Sequence, residues 1–206
     1  MSTLHRRRLV AGLAATLAAP VFIRDLFAQE TRRLTPRQTE GPFYPVTLPD
    51  DSDFDLLAQG TRRYTQGQPT WLEGTVTDAA GRPVRGAVVE IWQADHQGHY
   101  HHPGDGNRAD PAFQGFGRVS VGPNGEYRFR TIRPVPYSGR TPHIHVKVRL
   151  AGSELLTTQL YVEGEPRNER DGLWRSLGTA ERAALTVPFQ PGADGMRARF
   201  PIVVAA

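Results

Sequence analysis

Apolar and polar side chains alternate along much of the chain from Trp71 onward, which is the period of half-buried strands. "WLEGTVT" (71–77), "AVVEIWQ" (87–93), "RVSV" (118–121), "EYRFRT" (126–131), "HIHVKVRL" (143–150), "ELLTTQLYV" (154–162) and "RARFPIVV" (197–204) each read as a strand, rich in β-branched and aromatic residues. Between 118–121 and 126–131 the turn "GPNG" predicts a hairpin. "DAAGRPVRG" (78–86) is a turn and connector, and the prolines of "IRPVPYSGRTP" (132–142) exclude a helix or a central strand. "GTAERAAL" (178–185) predicts one short helix, with Thr179 as N-cap and Glu181 in the first turn. Seven or so short strands with irregular loops predict an all-β fold: a β-sandwich of mostly antiparallel strands with one short helix.

Residues 30–70 lack that period and predict an ordered arm with little regular structure. The arm contains "TEGPFYP" (39–45), dense in aromatics and proline. The first 28 residues differ again. Arg6, Arg7 and Arg8 precede an apolar run from Leu9 to Ala19, too short to span a bilayer. This is the layout of a signal peptide, and the paired arginines resemble a twin-arginine export signal. The predicted organisation is a signal segment, 1–28, cleaved after Ala28, then one domain, 29–206, exported to the periplasm.

The segment changes the charge argument. The chain carries 25 Lys and Arg against 21 Asp and Glu. Residues 1–28 hold four of those bases and one acid, leaving 21 against 20 in the remainder. The high isoelectric point, near 9.8, therefore owes much to the signal, and a nucleic-acid-binding face has little support. No later stretch is apolar enough to cross a membrane. There is no cysteine, which excludes disulfides, thiolate metal sites and cysteine nucleophiles.

The candidate chemistry lies in histidines and tyrosines. In "HIHVKVRL" one strand face carries His143, His145, Lys147 and Arg149, the other Ile144, Val146, Val148 and Leu150. Taken alone, the pattern favours a solvent-facing polar row. Three features argue the other way. Tyr100 sits in the loop "GHYHHPGD" with His99, His101 and His102. Tyr137 ends the rigid "PVPY". Arg140 belongs to the same short segment. Phenolate oxygen is a hard ligand suited to Fe(III), and imidazole suits iron, copper or zinc.

The order Tyr, Tyr, His-x-His resembles the intradiol ring-cleavage dioxygenases, in particular the protocatechuate 3,4-dioxygenase branch. The resemblance runs from "TEGPFYP" to "RARFPIVV" and is most specific in "VVEIWQADHQGHY", "GFGRVSVGPNGEYRFRTIRPVPY", "RTPHIH" and "TTQLYVEGEP". It implies a β-sandwich holding a non-haem Fe(III). The implied ligands are Tyr100 (equatorial), Tyr137 (axial), His143 and His145, with Arg140 as the active-site arginine and Gln159 lining the pocket. The implied reaction opens a catechol-type ring between its two hydroxylated carbons with O2, giving a cis,cis-muconate. Tyr137 would leave the metal and take a substrate proton, and Arg140 would stabilise the anionic substrate.

Two features depart from the family. Only Ser138 and Gly139 separate Tyr137 from Arg140, where relatives carry a longer aromatic loop. A pocket that is wider, or walled by other segments, is expected. The N-terminal helical domain that dimerises the catechol and hydroxyquinol enzymes is missing, and no second subunit type is implied, which leaves a homo-oligomer open. Two other readings stand beside this one: a non-catalytic prealbumin-like sandwich, suggested by "GTVTDAAGRPVRGAVVEIWQ", and a periplasmic copper or zinc binder using His99, His101 and His102.

Overall fold

A computed structural model describes residues 32–206; the predicted export segment, 1–28, lies outside the described residues. Strands β1 (Ala58–Gln59) and β2 (Arg62–Arg63) form a small hairpin within the arm. The sandwich is made of β3 (Pro69–Asp78), β4 (Ala87–Trp92), β5 (Phe116–Ser120), β6 (Glu126–Ile132), β7 (His143–Leu150), β8 (Ser153–Val162), β9 (Thr186–Val187), β10 (Phe189–Gly192), β11 (Gly195–Arg199) and β12 (Ile202–Val204). In the first sheet β3 pairs with β6 on one side and with β11, then β12, on the other, and β10 lies outside β11. The second sheet has the order β5-β4-β7-β8-β9. Pairing is mostly antiparallel; the exceptions are the short parallel ladders of β3 with β11 and β12, and of β8 with β9.

The two sheets enclose one core. Leu72 and Val76 of β3 and Phe129 of β6 pack against Val89 and Ile91 of β4, Ile144 and Val146 of β7, and Leu160 of β8, all fully buried. Alternation makes this possible: every second residue of each strand reaches the same face. No helix among the described residues is long and apolar enough to cross a membrane.

Three local expectations are corrected. The "GPNG" turn forms, with Gly125 at φ 83° and its N–H on the Gly122 carbonyl at 2.9 Å. It is not a hairpin, because β5 joins β4 in one sheet and β6 joins β3 in the other. A tight turn constrains four residues; which strand completes a ladder is settled by distant pairing. There are two short helices, α1 (Gly172–Arg175) and α2 (Thr179–Leu185). The N-cap of α2 is Gly178, one residue before the predicted Thr179, and the Glu181 carboxylate accepts from its N–H at 2.7 Å. The closing strand is two, β11 and β12, interrupted at Phe200 and Pro201, since proline cannot donate to a ladder.

The polar row of β7 is buried, against its alternation taken alone but as the resemblance implies for the histidines. His143, His145 and Lys147 are only 2%, 1% and 4% exposed. The arm covers them. Lys147 forms an ion pair with Glu40 and lies 3.7 Å above the ring of Tyr44, whose hydroxyl donates to Glu90 at 2.9 Å. Farther along, Gln38 N–H donates to the Thr157 carbonyl at 2.9 Å, so the arm is stitched to the sheet by backbone as well as side chains.

Candidate active site

β7 starts at His143, so the two histidines open the strand and project beneath the arm. Across the ladders His145 faces Trp92 of β4 and Gln159 of β8. The Trp92 ring stacks on the His145 imidazole, centroids 4.8 Å apart and planes within 9°. On the arm side, Gly41 takes φ 73°, and a Cβ there would stand 3.3 Å from His145 Cε1. Glycine permits both the backbone conformation and the close approach.

Tyr100 is delivered by the loop after β4. Asp95 ties that loop by accepting from the N–H groups of Gln97 and His99, and Asp105 accepts from Tyr100 N–H at 2.8 Å. Tyr137 comes from the opposite side on a two-residue turn. Ser138 and Gly139 have φ of 43° and 77°, and Arg140 N–H donates to the Tyr137 carbonyl at 2.7 Å. Positive φ at both central residues marks the primed type of turn. The short spacing therefore fixes Tyr137 and Arg140 relative to each other. The aromatic wall around them comes from the arm: Phe43 stacks on Tyr100 at 4.7 Å and meets the edges of His102 and Tyr137 at 5.6 and 5.9 Å.

The four side chains converge. His143 Nδ1–H donates to the Thr141 carbonyl at 2.6 Å, which leaves Nε2 as a bare lone pair. That Nε2 lies 3.2 Å from Nε2 of His145 and 3.3 Å from the Tyr137 hydroxyl. The Tyr100 ring is 5.0 Å from that of Tyr137 and 6.2 Å from that of His145. The Tyr100 hydroxyl is buried with no hydrogen-bond partner, as is Nδ1 of His145. A buried hydroxyl without a partner costs free energy unless something else satisfies it.

Burial and neighbouring charge keep all four groups neutral. Burial raises the Tyr100 phenol well above its ordinary range, and Tyr137 adds to this. Burial also raises Tyr137, while its contact with the Tyr100 hydroxyl and then Arg140 pull it back. Burial, then Arg140, lowers His143 to about 4, and His145 falls well below its usual value through burial and the adjacent His143. A cation at the convergence point would reverse the logic for the phenols, since it favours phenolate and neutral imidazole alike. Metal–nitrogen bonds of about 2.1 Å at right angles separate two donors by about 3 Å, close to the spacing seen. The donor set and the orphaned Tyr100 hydroxyl fit a hard metal ion.

Arg140 is 22% exposed at its side chain. Its Nε donates to Asp171 Oδ2 at 2.7 Å and its Nη2 to Gln159 Oε1 at 2.7 Å. Burial alone would lower the guanidinium pKa, but Asp171 outweighs it and the net shift is upward. Gln159 is fully buried, donates through Nε2 to the Thr39 carbonyl at 2.9 Å and accepts from the Tyr161 hydroxyl at 3.1 Å. The sequence reading missed Asp171. Its signal is the N-cap pattern Asp-Gly-Leu-Trp, where the carboxylate accepts from the N–H groups of Leu173 and Trp174.

The loop histidines do not gather. His99 Nδ1 lies 3.4 Å from Asp105, His101 Nε2 is 2.6 Å from the Phe113 carbonyl, and His102 Nδ1 accepts from Gly104 N–H at 2.9 Å. Among the described residues no three His, Asp or Glu side chains form a metal-binding group; a site built here needs the tyrosines.

A sequence model described as Dioxygenase matches residues 39–205. Hydroxyquinol 1,2-dioxygenase from Corynebacterium glutamicum is 33% identical over 196 residues, covering 80% of this chain and 62% of that protein. The chain thus spans less than two thirds of that relative's length. The protocatechuate 3,4-dioxygenase beta chain from Burkholderia cepacia is 37% identical over 165 residues, covering 74% of this chain and 70% of that one. Among solved structures, the dioxygenase domain of a dioxygenase carbohydrate-binding protein fusion from Streptomyces sp. SirexAA-E superposes with a TM-score of 0.68 at 33% identity, covering 84% of this chain and 99% of that one.

Proposed function

The chain belongs to the intradiol ring-cleavage dioxygenase family, and from that premise we propose that it is a non-haem Fe(III) enzyme opening a catechol-type ring between its two hydroxylated carbons with O2, to give a cis,cis-muconate-type product. One observation carries the assignment to this site: His143 Nε2 lies within 3.3 Å of both His145 Nε2 and the Tyr137 hydroxyl, beside the buried Tyr100 hydroxyl. Tyr100, Tyr137, His143 and His145 would hold the iron. When bound, Fe(III) supplies a Lewis acid that draws electron density from a dihydroxylated ring and allows that ring to react with dioxygen.

The chain's own residues do the rest. Thr141 holds His143 in the tautomer that presents Nε2, and Trp92 with Gly41 clamps His145. Tyr100, fully buried behind Phe43, stays in place. Tyr137 is the mobile phenol: it sits on a two-residue turn, is only partly buried, and lies next to Arg140. Were it held there as a phenolate by the bound ion, its oxygen would take one proton from the incoming diol and become a neutral phenol. Arg140, held by Asp171 and Gln159, faces the charge that develops on the deprotonated ring. The arm residues Gly41 and Phe43 exclude water from the histidines and Tyr100.

The alternatives fare worse. A copper or zinc site of His99, His101 and His102 is opposed by their divergence, and a non-catalytic sandwich leaves the converging donors without a purpose. The test is iron loading followed by a substrate panel. Tyrosinate on Fe(III) gives an intense visible charge-transfer band, and catechol, hydroxyquinol or protocatechuate should yield the muconate-type product without an external reductant. Protein that stays colourless after loading, or that gives a yellow semialdehyde, sinks the proposal.

A further inference from the structure

Asp171 lies 31 residues beyond Arg140, at the start of α1, and its side chain is fully buried. Four N–H donors converge on it. Oδ2 accepts from Arg140 Nε at 2.7 Å and from Thr141 N–H at 3.0 Å. Oδ1 accepts from Leu173 N–H at 3.0 Å and Trp174 N–H at 2.9 Å. Only an ionised carboxylate has the acceptor capacity for four donors; an amide offers one oxygen and turns its NH2 toward the other pair. The same guanidinium reaches Gln159 through Nη2, so two fixed acceptors hold one edge of Arg140 while Tyr137 lies against it.

We propose that Asp171 is a positioning residue for the ring-cleavage reaction: its carboxylate fixes the guanidinium of Arg140 in the orientation that meets the anionic substrate. The inference rests on the dioxygenase reading. The competing role is structural, as the cap of α1. Asparagine is an equally good helix cap, so Asp171→Asn keeps that role and removes the charge-assisted hold on Arg140.

Iron-loaded wild type, Asp171→Asn, Arg140→Gln and the double variant are compared in a double-mutant cycle of kcat/KM. Asp171→Asn is expected to lose about 10- to 100-fold, the usual cost of misplacing a reacting group through its support. In the Arg140→Gln background the further loss should shrink to about threefold or less. An equal loss in both backgrounds assigns Asp171 to folding alone and overturns the proposal. If the asparagine variant does not accumulate, Asp171→Glu, which keeps the charge but displaces it by one methylene, takes its place with the same expectation. A crystal structure of the variant supplies a readout independent of turnover: Arg140 should leave Gln159, and an unmoved Arg140 overturns the proposal. Wild type that turns over none of the panel sinks the dioxygenase reading instead, while the position of Arg140 in the variant still decides the role of Asp171.

Discussion

On one face of β7, Ile144, Val146 and Val148 are completely buried against the opposite sheet; on the other, His143, His145 and Lys147 are 2%, 1% and 4% exposed beneath the arm. The first face is dry because apolar area leaves water on sheet packing. The second is closed by a covering segment whose charges and donors answer those of the strand: Glu40 for Lys147, the Thr39 carbonyl for Gln159, Gln38 for the Tyr161 hydroxyl. Equal burial thus has two origins. The apolar face can exchange one hydrocarbon for another at modest cost, whereas the polar face is stable only while each group keeps its partner. The Tyr100 hydroxyl, which has none, is where the proposed metal ion would supply the missing partner.

Four experiments separate the faces. The largest effect is expected for His145→Ala, which removes one of the proposed iron donors: bound iron should be largely lost and turnover should fall by about a hundredfold or more, with the far-UV circular dichroism of the protein unchanged. Retained iron and turnover would show that His145 is only a packed side chain. Next, Ile144→Ala on the opposite face should destabilise by about 3 kcal/mol through the cavity it leaves, with iron per folded molecule unaltered; denaturant titration and metal analysis measure both. Loss of iron in step with that loss of stability would mean that the faces are not independent.

Third, Glu40→Gln leaves Lys147 buried with a weaker partner, Glu154 at 3.9 Å. Glu40 is itself 43% exposed, so the cost is expected at about 2 kcal/mol, below that of a fully buried pair. Because the arm also roofs the histidines, chelators should strip iron from this variant faster than from wild type. An unchanged chelation rate would show that the arm closes without this ion pair.

The smallest effect concerns pH. In the iron-free protein His143 is held at about 4 against an ordinary 6.5, and His145 is shifted the same way. The unfolded chain therefore takes up protons that the folded chain refuses. Stability is full above 6.5 and is lost as pH falls from there toward 4. Asp105 and Asp171 are depressed below their ordinary 3.8 despite burial, by hydrogen bonds from Tyr100 N–H and from Arg140; their contribution persists above 3.8 and is lost only on further acidification. The thermal midpoint of the iron-free protein should thus fall between pH 7 and 5, and iron loading should flatten that slope, because a coordinated imidazole has no free lone pair to protonate. Equal slopes with and without iron would remove the histidines from the site.

The apolar face was legible from alternation alone, because sheet packing needs only the right side chains at every second position. Residues 126–131 and 143–150 were recognisable as strands for that reason. What turns decide and what they do not is shown by "GPNG": the turn formed, but its flanking strands went to different sheets. The four residues proposed as iron ligands were legible only through resemblance to a family, and their burial runs against the pattern of β7 taken alone. Asp171 was missed, since its contact with Arg140 spans 31 residues.

By itself the sequence determined the class of fold, most of the strands, the absence of cysteine and the closeness of Tyr137 to Arg140, while the set Tyr100, Tyr137, His143 and His145 was implied by resemblance to a family. The fold class, the strands and the Tyr137–Arg140 turn follow from local rules: side-chain period and backbone preference at Ser138 and Gly139. Only the tertiary structure decided that the histidines lie under an arm, that Asp171 holds Arg140, and that the loop histidines point apart. Such contacts depend on segments distant in the chain meeting in space. A charged or polar side chain reads the same in the sequence whether its partner is water or a residue a hundred positions away.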